Sequence, residues 1–183
     1  MYKELGQILV TAQQIRRRTK ELGKEISQVY QNEEIFIISI INGAIIFTAD
    51  LVRSISNPVW LDCIRVSSYR HATNPESEPR ILDNFQIDVA GRHVLIIDDI
   101  LDTGKTISMV TGIIQDMRPA SLRSCMLLKK KGTRVVPYKA DFIGFTIPNK
   151  FVVGYGLDFA GRYRNLPVIG VLKPELQNPP EWR

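Results

Sequence analysis

The sequence is poor in the residues that build metal centres and disulfide frameworks. Only 2 cysteines and 2 histidines occur among 183 residues. Cys63 and Cys125 stand far apart and fit no CxxC spacing, so neither a disulfide scaffold nor a zinc site is expected. Both are read as plain buried thiols. His71 and His93 leave too little for a His-rich metal centre or a Ser-His-Asp triad. No apolar run approaches the roughly 18–20 residues that span a bilayer. The opening "MYKELGQILVTAQQIRRRTKELGKEI" is charged and amphipathic, without a signal peptide's apolar core. A cytoplasmic protein with no membrane partner is the expectation. Repeats and low-complexity segments are absent as well.

What is present reads as a globular chain. Hydrophobic residues make up 44% and charged residues 23%, which suits a single domain over 1–183 with a substantial core. The formal charge of +5 favours anionic partners. Basic residues cluster at Arg16-Arg17-Arg18 and Lys129-Lys130-Lys131, and aromatics do not interleave with them as in a stacking platform for single-stranded nucleic acid. A phosphorylated small molecule is the more economical partner.

Periodicity places the elements. Leu5, Ile8, Leu9, Ala12, Ile15, Leu22, Ile26 and Val29 recur at helical spacing, so residues 3–30 are expected to form one or two amphipathic helices. "IFIISII" (35–41) is β-branched and unbroken, as in a strand buried on both faces, and 44–55 returns to helical spacing. Residues 59–68 give a second strand. The polar, proline-bearing 69–80 reads as a mobile loop. A buried strand at 93–99, a helix at 105–117 and a strand at 121–130 follow, with shorter strands at 141–146, 151–155 and 168–172. Strands alternating with helices predict an α/β domain with a mainly parallel sheet, in which ligands sit at the carboxyl ends of strands.

At one such end the sequence reads "HVLIIDDILDTGKTISMV" (93–110). Gly104-Lys105-Thr106 suggests a Walker A loop, but that motif needs a glycine where Asp99 stands. Carboxylates there would repel a triphosphate. The segment Asp102-Thr103-Gly104-Lys105-Thr106 still suits a monophosphate, because amides at a helix N-terminus favour an anion. The acids suit hydroxyl groups or a magnesium ion. A sugar phosphate carrying pyrophosphate unites these features. The alternative is an ordinary strand-to-helix turn capped by an aspartate.

"VLIIDDILDTGKT" resembles the phosphoribosyl pyrophosphate (PRPP) signature of the type I phosphoribosyltransferases. The run "DFIGFTIPNKFVVGYGLDFAGRYRNLPVIGVLKPE" is similar to the C-terminal part of the hypoxanthine-guanine branch, as are "VSSY" (66–69) and "IINGAIIFTADLVR". The resemblance covers roughly 35 to 175. It implies the family's fold: a mainly parallel twisted sheet flanked by helices (core about 35–146), with a small hood built from the N- and C-terminal segments. It also implies Mg2+, PRPP and a 6-oxopurine as ligands, and a homodimer or homotetramer.

The resemblance further implies roles. Asp98 and Asp99 hold the ribose hydroxyls with or without metal, and Ile100 and Leu101 contact the same ligand. Asp102 is the acid/base at purine N7, and Asp102, Thr103, Gly104, Lys105 and Thr106 clasp the 5′-phosphate. Lys130 donates to the purine O6, Phe151 stacks on the base, and the Val152 backbone reads its edge. Asp158 faces the magnesium–pyrophosphate side, and Arg164 contacts pyrophosphate. Asn42 and Gly43 form the pyrophosphate loop, and Ser68 and Tyr69 open the loop that closes over the reaction. Without the resemblance, Lys129 to Lys131 read as a solvated patch, Phe151 as core, Tyr69 as an exposed ring, and Asp158 with Arg164 as a surface ion pair.

The chain departs from this pattern in places. The pyrophosphate loop reads Ile41-Asn42-Gly43 where the family usually has Leu-Lys-Gly, so Asn42 lacks the cation. Whether the family's cis peptide persists there is open. Asn42→Lys is expected to tighten pyrophosphate binding. The acid pair is Asp-Asp where Glu-Asp is common, and the mobile loop carries Pro75 and Pro79. Rival readings are a xanthine-preferring transferase, an RNA-binding regulator on the same fold, and a transferase weakened at Asn42. A salt-dependent RNA affinity would mark the regulator.

Overall fold

The computed structural model describes residues 2–67, 79–82 and 88–177. A single 3-10 turn at Tyr2–Glu4 leads into strand β1 (Leu5–Val10). Here the structure corrects the helical expectation for 3–30, since helix α1 (Ala12–Tyr30) starts only after Thr11. Thr11 accepts a hydrogen bond from the Gln14 amide and donates its own amide to the Gln14 side chain at 2.8 Å, a capping box that marks the boundary. The strand exists through a non-local partner: β1 pairs antiparallel with β9 (Ile169–Leu172), Leu5 opposite Leu172 and Val10 opposite Ile169. Local spacing could not reveal that pairing.

The large sheet contains β2 (Ile35–Ile41), β3 (Val59–Ser67), β4 (Arg80–Ile81), β5 (His93–Leu101), β6 (Ser121–Lys130) and β7 (Phe142–Ile147), in the order β4-β3-β2-β5-β6-β7. All neighbours run parallel except β3 and β4. Helices α2 (Ile45–Val52) and α3 (Lys105–Asp116) complete the layers. A second sheet of order β1-β9-β8, with β8 (Val152–Val153), lies at the chain's two ends.

Alternation along the central strands sends side chains to two cores. Ile35, Ile37, Leu95, Ile97, Cys125 and Leu127 face α1 and α2, meeting Leu22, Ile26, Phe47 and Leu51. Phe36, Ile38, Val94, Ile96 and Met126 face the other way, onto Ile107, Val110 and Ile114 of α3. Each fully buried aliphatic or aromatic side chain is worth about 1.5–3 kcal/mol. A third cluster of Leu5, Val153, Tyr163, Leu166, Val168 and Leu172 serves the small sheet.

Other expectations shift in detail. Strand β5 runs on to Leu101, two residues past the expected 93–99, so Asp98 and Asp99 lie within the strand and not at its last positions. Helix α2 stops at Val52, and β8 keeps only two of the residues expected at 151–155. Of the loop 69–80, residues 69–78 lie outside the described residues, whereas Arg80 belongs to β4. Cys63 is exposed, against the expectation of burial, while Cys125 is buried. The reason is position: only Val66 and Ser67 of β3 are covered by β4, so residues 59–63 sit on an open margin. Among the described residues no helix is long and apolar enough to cross a membrane.

Candidate active site

Parallel pairing brings the carboxyl ends of four strands to one rim of the large sheet. Ile41 is in register with Arg65 across β2 and β3, and Leu101 with Lys129 across β5 and β6. A cavity of about 490 Å3 opens there. Its lining includes Asn42, Gly43, Asp98, Asp99, Ile100, Leu101, Asp102, Thr103, Gly104, Thr106, Asp158 and Arg164, all expected from the sequence.

The acids occupy different settings. Asp98 is only 7% exposed, and its carboxylate accepts the Asp99 amide at 2.8 Å. The Asp99 carboxylate rests against the Cα of Gly43, so closely that a methyl group on Gly43 would overlap it. The Gly43 carbonyl in turn abuts Gly156, whose φ of +100° suits glycine and whose Cβ, if present, would overlap that carbonyl. The Ile41-Asn42-Gly43 turn is thus wedged between β5 and the segment after β8. The peptide between Ile41 and Asn42 is cis.

Asp102 follows β5 directly. Its carboxylate receives the Lys130 ammonium at 2.9 Å. Its main-chain carbonyl accepts Thr133 Oγ1 at 3.0 Å and the Arg134 guanidinium. The next carbonyl, of Thr103, accepts the amides of Val135 and Val136 at 2.9 and 3.0 Å. Residues 133–136 therefore strap the turn from behind. Gly104, at φ +88°, is the N-cap of α3, and a Cβ there would meet the Val136 carbonyl at 2.5 Å. The turn leaves the α3 N-terminus facing the cavity, where its amide ends favour an anion.

On the far wall, Arg164 binds the Asp158 carboxylate at 2.9 Å and donates to the Gly156 carbonyl at 2.6 Å. Asp158 also accepts the Gly161 amide at 2.9 Å. The ion pair that the sequence allows is formed, and it faces the cavity. Tyr155 anchors this segment by donating to Asp50 of α2 at 2.7 Å, and burial pushes its hydroxyl above the usual tyrosine range.

Not every expected residue lines the cavity. Lys130 reaches it only through Asp102, and Lys105 lies beside it on α3. Phe151 is half-buried and packs edge-on against Phe159, centroids 5.5 Å apart, so its ring joins the small-sheet cluster. Val152 is buried in β8 opposite Val171. Ser68 and Tyr69 lie outside the described residues. Sequence reading missed Arg65, Val66 and Leu82 on the β3 and β4 side, and the strap at 133–136. Arg65 carries a legible signal, a lone cation at the end of a strand, but the strap does not, because it acts largely through main-chain bonds.

Comparison with known proteins settles the lineage. Residues 4–160 match the model of the phosphoribosyl transferase domain. The chain belongs to the phosphoribosyltransferase family. Within it, the chain is similar to the hypoxanthine-guanine phosphoribosyltransferase of Bacillus subtilis, at 41% identity over 174 residues, with 95% of this chain and 97% of that protein covered. It is also 39% identical over 176 residues to the bifunctional protein TilS/HprT of Listeria innocua. That match covers 96% of this chain, which spans only 27% of the longer protein. Among solved structures, the hypoxanthine phosphoribosyltransferase of Trypanosoma cruzi in complex with the product IMP superposes with a TM-score of 0.87. It is 38% identical, covering 96% of this chain and 98% of the other.

Proposed function

We propose that the chain is a purine-salvage transferase that joins hypoxanthine, and guanine, to the ribose of PRPP, giving IMP or GMP and pyrophosphate. The observation that carries this is the Lys130–Asp102 contact of 2.9 Å beside the α3 N-terminus. A donor and an acceptor so close match the adjacent O6 and N7 positions of a 6-oxopurine. Lys130 donates to O6, and the Asp102 carboxylate accepts the N7 proton. Adenine offers an amino donor where Lys130 requires an acceptor, so the pair selects against it.

In the reaction, purine N9 attacks C1′ of the ribose while the C1′–O bond to pyrophosphate breaks. The sugar passes through an oxocarbenium-like state, as glycosyl transfer generally does. Asp102 takes the N7 proton as N9 becomes bonded, and this is general base catalysis worth roughly 100- to 10,000-fold. Asp98 and Asp99 hold the ribose hydroxyls and favour positive charge at the sugar. The amides from Asp102 to Thr106, with the Thr103 and Thr106 hydroxyls, bind the 5′-phosphate. Arg164, Asn42 and Gly43 line the pyrophosphate side. The three-stranded sheet serves as the hood, from which Phe151 and Val152 contact the base.

Magnesium fits the donors present. Among the described residues no group of three or more His, Cys, Asp or Glu forms a cage. Asp98, Asp99 and Asp158 nevertheless all face the cavity, and Mg2+ is commonly held by one or two carboxylates together with substrate phosphates and water. When bound, the ion neutralises the leaving pyrophosphate.

The test is incubation with Mg2+, PRPP and each of hypoxanthine, guanine, xanthine and adenine, followed by ultraviolet absorbance. Nucleotide from hypoxanthine is expected. Product from xanthine in preference to hypoxanthine supports the xanthine reading instead, and product from adenine alone, or none at all, refutes the assignment of Lys130 and Asp102.

A further inference from the structure

The loop proposed to hold pyrophosphate carries a neutral Asn42, which raises the question of where a dianionic diphosphate finds its positive charge. Among the described residues Arg65 and Arg164 line the cavity, and Lys130 and Arg134 contact Asp102 beside it. Lys130 is committed to Asp102, and Arg164 to Asp158 and the Gly156 carbonyl. Arg134 is committed to the Asp102 carbonyl behind the turn. Arg65 alone of these has no ion pair or side-chain hydrogen bond among the described residues, although its main-chain carbonyl accepts the Leu82 amide at 2.8 Å.

Its position is fixed by the sheet rather than by a flexible loop. Parallel pairing sets Arg65 beside Ile41, the residue that precedes Asn42, and Arg65 lines the same cavity as Asn42 and Gly43. It is exposed, so keeping its charge without a carboxylate costs little until an anion arrives. A guanidinium offers five donors in a planar fork suited to phosphate oxygens.

We propose that Arg65 is the pyrophosphate-binding cation of this chain, supplying from strand β3 the charge that Asn42 does not provide. This assignment rests on the functional reading above. It separates the two ends of PRPP: Arg65 acts on the diphosphate and leaves the 5′-phosphate, held by the α3 N-terminus, untouched.

The experiment measures binding of inorganic pyrophosphate, PRPP and IMP by calorimetry in the presence of Mg2+, for the wild type, Arg65→Gln, Asn42→Lys and the double variant. Removing a charged hydrogen-bonding partner is expected to weaken pyrophosphate and PRPP by roughly tenfold to a hundredfold, with IMP affinity unchanged. Placing a cation at the neighbouring position should recover most of the loss in the double variant. Pyrophosphate affinity that stays within about twofold in Arg65→Gln, an equal loss for IMP, or no recovery on adding Asn42→Lys each overturns the assignment. A wild type that binds IMP but loses nothing at Arg65 refutes Arg65 alone. Failure of the wild type to bind either IMP or PRPP overturns the functional reading, and this assignment with it.

Discussion

The ammonium of Lys130 lies 2.9 Å from the carboxylate of Asp102, two residues 28 apart in sequence that are brought together at the ends of parallel strands. Lys130 is 12% exposed and Asp102 36%, so the pair is partly withdrawn from water and open on its acidic side. Opposite charges at this distance hold each other's side chains in one geometry, the arrangement on which the proposed recognition of a 6-oxopurine rests.

Substitution separates the two roles. Asp102→Asn is expected to lower kcat by roughly 100- to 10,000-fold, the range for loss of a general base, while PRPP binding survives. Lys130→Gln is expected instead to raise the KM for hypoxanthine about tenfold or more, since a charged hydrogen bond is worth about 1.5–3 kcal/mol. Steady-state kinetics with hypoxanthine and calorimetry with PRPP distinguish them. Normal turnover by the Asp102→Asn variant removes Asp102 from proton transfer.

Gly43 is held between Asp99 and Gly156, with no room for a side chain on the Asp99 side. Gly43→Ala must push either the carboxylate or the turn that carries Gly43 aside. Overpacking of this kind costs about 1–3 kcal/mol, and the displaced acid should weaken IMP through the ribose. Urea unfolding and IMP calorimetry report the two effects. Unaltered IMP affinity would show that Asp99 is not positioned by this contact.

Arg134 touches no proposed substrate atom, yet with Thr133 it fixes the Asp102 carbonyl. Arg134→Met should cut kcat and IMP affinity roughly tenfold, given that charged hydrogen bonds contribute about 1.5–3 kcal/mol. Pyrophosphate affinity should hold steady, and Arg134→Lys should restore part of the loss. A uniform decline in all three would mark a general folding defect rather than positioning of the turn.

Alkaline conditions should destabilise the fold. Burial pushes the Cys125 thiol above its ordinary value of 9.0 and the Tyr30 and Tyr155 hydroxyls above 10.0. The unfolded chain sheds these protons first and so binds fewer than the folded one. Stability is therefore fully present below pH 9 and falls as pH rises through 9 to 11, by at most about 1.4 kcal/mol per pH unit for each group. Denaturation profiles at pH 7.5, 9 and 10.5 check this. Cys125→Ala should remove the earliest part of the decline, and a flat profile in the wild type would contradict it.

Much of the site was readable because it depends on local order. Asp98 through Thr106 are consecutive, and a buried strand followed by a capped helix places them whatever the rest of the chain does. The near-continuous apolar runs at 35–41 and 94–97 likewise dictate a sheet covered on both faces. Where the reading failed, a distant partner was at work. Residues 5–10 have helical spacing but become a strand because β9, more than 150 residues away, offers them an edge. Cys63 looks apolar and is exposed because, among the described residues, its strand has a neighbour over only two residues on that side.

The sequence alone determined the run of acids and hydroxyls that lines the cavity, the parallel α/β class and the neutral residue at position 42, because each is carried by residue type and near spacing. Only the tertiary structure decided that Lys130 meets Asp102, that Gly43 is locked against Asp99, and that Arg65 stands next to the Ile41-Asn42-Gly43 turn. Those relationships are set by strand order and register, which arise from long-range pairing and which no local pattern of residues encodes.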